Sequence, residues 1–172
     1  MHARKPNALF VLPIATPDGV FVAAYSANGL AGLEFPSAVK RAKTRSAKKG
    51  ITSRVRRWHA ATSKALRAAL AGRTPPTLPP LDCSSGTRFQ RRVWNALRKI
   101  APGKTRSYAE IAKGIGKPKA VRAVGGACGA NPIPVLVPCH RVLAANGRLG
   151  GFSGTPAWKK TLLAREGAPF RA

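Results

Sequence analysis

Between Asn131 and Val142 the chain reads NPIPVLVPCHRV, with prolines at 132, 134 and 138 and then Cys139, His140 and Arg141 in succession. Proline locks φ, removes a backbone donor and pushes the residue before it toward extended geometry. Asn131, Ile133 and Val137 all precede prolines, so a helix is excluded and a stiff, extended, largely buried strip is predicted. Such a strip delivers the Cys139 thiol to a fixed place. A cysteine in an apolar run is by itself a small buried hydrophobe. Here His140 and Arg141 add the proton acceptor and the positive charge that thiolate formation needs.

Charge bounds the partners. Lysine and arginine number 31 against 5 acids, a formal net charge of +26. A chain so basic repels itself, and a polyanion relieves the repulsion. Nucleic acid is preferred over a membrane surface, because no basic amphipathic helix with an aromatic face is visible. No apolar run has the length of a membrane span, and the first residues lack the pattern of a secretory signal. The three cysteines, Cys83, Cys128 and Cys139, are odd in number with no CxxC spacing. That argues for a reducing, cytoplasmic setting. A hydrophobic content of 44% supports a core in one domain or two small ones.

From residue 8 to 35, apolar runs alternate with Pro17-Asp18-Gly19 and Asn28-Gly29, which predicts a three-stranded antiparallel meander. Residues 37–57 carry nine basic residues and no acid, as in a solvated loop. Helical spacing runs from Val55 to Leu70 and stops at Gly72, and a proline-rich linker follows from Thr74 to Pro80. The predicted organisation is therefore residues 1–80 and 81–172. Thr87-Arg-Phe-Gln90 and Ser107-Tyr-Ala-Glu110 are capping boxes that open two helices. A turn at 114–116 leads to a third helix, predicted from Pro118 to about Cys128. Helix, glycine turn and helix outline a helix-turn-helix whose second member is mostly Ala and Gly. Those side chains reach base edges poorly; they either let a backbone approach closely or simply pack against another helix. Asn146-Gly147 is a further hairpin signal, Gly150–Gly154 a flexible loop, and Thr155-Pro156 the start of a last helix ending at Gly167.

NPIPVLVPCHRV, with SYAEIA from Ser107 and VRAVGGACGANP from Val121, resembles the O6-alkylguanine-DNA alkyltransferases, over about residues 81–168. The resemblance implies an α/β (α+β) fold, with a ribonuclease-H-like sheet-and-helix subdomain followed by a mostly helical domain bearing the helix-turn-helix. It implies direct-reversal repair of double-stranded DNA containing O6-alkylguanine, with O4-alkylthymine left open. The alkyl group would pass irreversibly to Cys139, once per molecule. His140 would be the general base, Glu166 its orienting partner, Tyr108 the hydrogen-bond donor to guanine N3, and Asn131 the hinge. Arg122 would fill the stack vacated by the flipped base, and DNA contact falls to Arg122, Ala123, Gly125, Arg141 and Ser107. Pro134, Val142, Phe152, Ser153 and Cys128 would line the pocket, with backbone groups at Cys139 and Val142 accepting from the guanine amine.

Three positions depart from relatives: Phe152 where some carry tyrosine, Thr155 where some carry glycine, and Cys128 where some carry methionine. With no cysteine before Cys83, the zinc site of certain relatives cannot form, and no metal or other cofactor is expected. A monomer is expected, with cooperative coating of DNA left open. The alternatives are a sensor of alkylated bases that accepts no alkyl group, a basic helix-turn-helix regulator or nucleoid protein, and a Cys-His hydrolase. Sensors of that kind lack the cysteine, an Ala/Gly helix is unsuited to the major groove, and no oxyanion-hole motif is visible.

Overall fold

The two turn signals near the N-terminus do set a meander. In a computed structural model that describes residues 10–36, 50–152 and 156–171, strands β1 (Phe10–Thr16), β2 (Gly19–Tyr25) and β3 (Leu30–Glu34) form one antiparallel sheet in that order. Thr16 pairs with Gly19 across Pro17 and Asp18, and Gly19, just past the loop, takes a positive φ of 114° that glycine adopts at no steric cost. Leu12, Ile14, Phe21, Ala23 and Tyr25 alternate inward and are buried.

Helix α1 (Ser53–Leu70) begins where Thr52 accepts from the Val55 amide at 3.3 Å, and Gly72, at φ 72°, ends it in the left-handed region. Val55, Leu66, Ala69 and Leu70 are its buried face. Of the nine basic residues of 37–57, Arg54, Arg56 and Arg57 are exposed on or near its first turns, and the other six lie outside the described residues.

Both predicted capping boxes are present. Thr87 and Gln90 open α2 (Arg88–Leu97), and Ser107 and Glu110 open α3 (Tyr108–Gly114), each with reciprocal bonds. Helix α2 buries Val93, Trp94 and Leu97, and Trp94 Nε1 donates to the Ala127 carbonyl at 2.8 Å, pinning it to the end of α4 (Val121–Gly129). The third helix does not begin at Pro118. Residues 117–120 instead form a turn closed by the Ala120 amide on the Lys117 carbonyl at 2.9 Å, with Pro118 second in it. Proline suits that corner as well as it suits a first helical position, so local preference could not separate the two.

Two-residue strands β4 (Arg106–Ser107) and β5 (Val142–Leu143) pair in parallel, tying the start of α3 to the residues just after Arg141. Asn146 and Gly147 take φ of 60° and 75° in a tight turn closed by the Ala144 amide on the Arg148 carbonyl at 2.7 Å. It is a turn of the expected kind without the antiparallel strands of a long hairpin. Helix α5 (Pro156–Arg165) buries Lys159, Leu162 and Leu163. One continuous apolar core contains residues from both sides of the 74–80 linker, from Leu12 to Leu162. No helix among the described residues is long and apolar enough to cross a membrane.

Candidate active site around Cys139

The proline-rich segment is buried as expected, but it is not an extended strip. The Val137 amide reaches the Ile133 carbonyl at 2.9 Å, and the Cys139 amide reaches the Val137 carbonyl at 2.8 Å. Val135 is forced to φ 73°, and Cys139–Arg141 form one 3-10 turn. A β-branched residue in the left-handed region is a strained outlier that persists only where its surroundings over-determine it. Asn131 supplies much of that determination. Its Nδ2 donates to the Val137 carbonyl at 2.7 Å and to Cys139 Sγ at 3.1 Å, while its Oδ1 accepts from the Ile133 amide at 3.0 Å. These side-chain bonds within the segment outweigh the extended preference of the pre-proline residues, and the result is a knot of turns with the sulfur at its end.

Behind the cysteine lies a buried ionic cluster. His140 and Glu166 side chains are each 1% exposed, and His140 Nε2 meets Glu166 Oε1 at 2.9 Å. Arg141 grips the same carboxylate through Nε at 3.0 Å and through its terminal nitrogen at 2.9 Å, and it also donates to the Ile100 carbonyl. The Gly103 amide adds a weak bond to Glu166 at 3.4 Å. Burial pulls the Glu166 carboxyl upward, but the bonds from His140 and Arg141 outweigh it and hold the group at about 2. Burial keeps His140 below the usual imidazole range despite Glu166, so it is neutral at physiological pH. With Nε2–H given to the carboxylate, the acceptor lone pair sits on Nδ1, which is buried and has no hydrogen-bond partner among the described residues.

Arg141 therefore cannot be the surface DNA contact that the sequence suggested. It is 7% exposed, and its donors are spent on Glu166 and Ile100. Glu166, expected from the sequence as the orienting partner of His140, meets that histidine and is shared with the arginine beside it. The pair neutralises Glu166 inside the protein.

A cavity of about 430 Å³ opens over Cys139, lined by Tyr108, Val121, Arg122, Gly125, Cys128, Gly129, Gly151 and Phe152 as well. Of the predicted pocket residues, Cys128 and Phe152 face it. Pro134 and Val142 do not line it: both are buried beneath. Ser153, and Thr155 with it, lie outside the described residues. Of the predicted DNA-contact residues, Arg122 lies on this rim and Ala123 is exposed beside it. Ser107 is half-buried at the α3 cap, accepting from the Glu110 amide at 3.1 Å. Tyr108 is half-buried at the rim and donates its hydroxyl to the Gly151 carbonyl at 3.1 Å. Burial, reinforced by the nearby Cys128 and Cys139, pushes that phenol up to about 12, so it remains a donor at neutral pH.

Two site features escaped sequence reasoning. Lys159 is 1% exposed, and its Nζ donates to the Val142 carbonyl at 2.7 Å and to the Leu149 carbonyl. One lone pair of the Val142 oxygen, the predicted acceptor for a guanine amine, is thus already committed. Burial lowers the Lys159 ammonium, while the charges of Cys139 and Cys128 act to raise it, so the lysine offers positive charge to a thiolate at either cysteine. Its sequence signal was hidden, since a lysine in a Lys-Lys pair ordinarily reads as solvated. The second feature is aromatic. Phe35 packs on Trp158 with ring centroids 5.0 Å apart and on Phe152 at 5.9 Å, so the N-terminal sheet buttresses one wall of the cavity.

The outer face of α4 settles one question left open by the sequence. A Cβ added to Gly126 or Gly129 would meet nothing within 4 Å, and one on Gly125 would touch only the Tyr108 ring at 3.9 Å. Internal packing therefore does not require these glycines.

Fold and site together define a protein that holds a buried, acid-base-supported cysteine beside a helix pair whose second member presents Arg122 and two unobstructed glycines, Gly126 and Gly129, to the outside. The family model described as "6-O-methylguanine DNA methyltransferase, DNA binding domain" matches residues 88–168. The chain is 57% identical over 83 residues to a methylated-DNA–protein-cysteine methyltransferase of Methanosarcina acetivorans, covering 48% of this chain and 53% of that one. It thus spans about half the length of the curated relatives it matches. The crystal structure of Mycobacterium tuberculosis OGT in complex with DNA is 38% identical with a TM-score of 0.72, covering 91% of this chain and 93% of that one. The M. tuberculosis O6-methylguanine methyltransferase structure is 37% identical with a TM-score of 0.70, over 93% and 94%. The chain belongs to the O6-methylguanine-DNA methyltransferase family.

Proposed function

We propose that this protein repairs DNA by direct reversal, taking the alkyl group of O6-alkylguanine onto Cys139. The observation that carries the reading is the placement of the Cys139 sulfur. It borders a cavity that Arg122 and Tyr108 also line, with Asn131 on the sulfur and His140, which pairs with Glu166, next to it in sequence. A base inside a duplex is out of reach and must be extruded, at a cost of a few kcal/mol. Arg122, exposed on α4, occupies the place of the departed base, its guanidinium plane stacking while its charge stays near phosphate. His140 Nδ1, through one bridging water, takes the thiol proton. The sulfur then displaces guanine in line: the carbon–sulfur bond forms as the carbon–oxygen bond breaks, and Tyr108 hydrogen-bonds N3 as the guanine leaves. The thioether is stable, so each molecule acts once. The 1–80 part serves as buttress and the 81–172 part as DNA-binding alkyl acceptor, acting as a monomer in the cytoplasm.

The experiment is incubation with an O6-methylguanine duplex followed by intact-mass and peptide analysis. A gain of one methyl group on the Cys139 peptide is expected; binding without any gain would replace this reading with that of a sensor.

The open flank of α4 yields a separable prediction. Gly126→Ala should leave stability unchanged or raise it by about 0.5–1 kcal/mol, because alanine is the better helix former and meets no clash. The same methyl should weaken duplex binding, because it stands between the α4 backbone and the minor groove. Urea denaturation and fluorescence anisotropy check the two halves. Unchanged DNA affinity would remove the close-approach role.

A further inference from the structure

The reaction proposed above uses one thiol, yet two face the cavity. Cys128 and Cys139, 6% and 3% exposed, both line it. Asn131 is hydrogen-bonded to both residues: its backbone amide donates to the Cys128 carbonyl at 3.3 Å, and its side-chain amide donates to Cys139 Sγ at 3.1 Å. The end of α4 that carries Cys128 is held in place by Trp94 on the neighbouring carbonyl of Ala127. Lys159 lies close enough to feel the charge of both sulfurs. Cys83, the third cysteine, is half-buried and lines no part of this cavity. None of the three is in a disulfide.

We propose that Cys128 is a resolving thiol that closes a reversible disulfide with Cys139 when a hydroperoxide reaches the cavity. This rests on the reading of Cys139 as the reactive sulfur. The Cys139 thiolate attacks the peroxide, the oxygen–oxygen bond breaks, and Cys139 becomes a sulfenic acid while water or an alcohol departs. The Cys128 sulfur then attacks the Cys139 sulfur, its proton leaves with the sulfenic oxygen as a second water, and the sulfur–sulfur bond forms. Two thiols have been oxidised and one peroxide reduced. The chemistry favours this order. Burial, then the charge of Cys139, pushes Cys128 up to about 12, so it is the poorer first nucleophile. Sulfenic acid formation removes that negative charge and eases Cys128 into its role. The consequence suits a protein whose acceptor sulfur is used once. A disulfide can be reduced back, whereas a sulfinic acid cannot.

The test treats the purified full chain and its Cys128→Ala and Cys83→Ser variants with hydrogen peroxide, then analyses intact mass and linked peptides, with and without dithiothreitol. The expected result for the parent chain and for Cys83→Ser is the loss of two hydrogens, a crosslink between the Cys128 and Cys139 peptides, and full reversal by dithiothreitol. Cys128→Ala should instead gain oxygen at Cys139. Each protein is compared with its own untreated sample for methyl acceptance. After peroxide and then reductant, the parent should retain about tenfold more of its starting value than Cys128→Ala. Protein whose Cys139 has first been methylated should form no crosslink. Oxygen addition to Cys139 in the parent, or a crosslink that runs to Cys83, would overturn the proposal. Untreated protein given the O6-methylguanine duplex keeps the two ideas apart. A crosslink without methyl acceptance would sink the repair reading alone, and methyl acceptance without a crosslink would sink the resolving thiol alone.

Discussion

Replacing Glu166 with glutamine should cost about 3–5 kcal/mol of stability and at least about 100-fold in the rate of methyl transfer. The amide is nearly the same shape, so packing is preserved and the loss is one of charge. Arg141 would remain inside the protein with its cation uncompensated, and His140 would lose the carboxylate that fixes which ring nitrogen carries the proton. Thermal denaturation and intact-mass kinetics measure the two effects. A stable, active glutamine variant would mean that the cluster is neither a structural nor a catalytic unit. The same cluster sets the response to acid. Glu166 is held at about 2 against an ordinary 4.5, so its contribution is fully present above 4.5 and is lost as pH falls from there toward about 2. His140 is depressed from 6.5, so its neutral burial begins to cost stability once pH drops below that value and the unfolded chain takes up the proton first. Both act in one direction: the melting temperature should decline steadily from pH 6.5 downward. The glutamine variant should lose the share of that slope below 4.5 that Glu166 contributes, leaving the share of Asp18, Asp82 and Glu110, which are also held below their ordinary range.

Arg122→Ala should slow repair of a methylated duplex about 100-fold or more, because the unstacking cost of a few kcal/mol is no longer offset. Transfer from free O6-benzylguanine should change less than about threefold, since no stack has to be opened. Stability should move by no more than about 0.5 kcal/mol, as the side chain is exposed and holds nothing else in place. Single-turnover kinetics on the two substrates provide the ratio. Equal losses on both would make Arg122 part of the pocket and remove the wedge.

The helix caps were legible because their signals are local. Thr87 with Gln90, and Ser107 with Glu110, need only residues three apart, and both boxes formed. The meander was legible for the same reason, through Asp18-Gly19 and Asn28-Gly29. The placing of Cys139 and His140 was readable from the family-like run around them. Pro118 misled because one dihedral serves a turn corner and a helix start alike. Pre-proline residues misled at 131–138 because the extended preference of each is small beside three bonds from one buried asparagine.

The residue types alone determined that this chain carries a large positive charge, opens its helices at marked hydroxyls, and brings a cysteine and a histidine together as neighbours. Folding decided what those neighbours do. It sank Arg141 against Glu166, buried Lys159 within reach of the charge of both sulfurs, brought Cys128 and Cys139 to the wall of one cavity, and left Gly126 and Gly129 of α4 facing open space. Each of these depends on which side chain loses its water and which partner replaces it. That is a property of segments far apart in the chain, and no local pattern carries it.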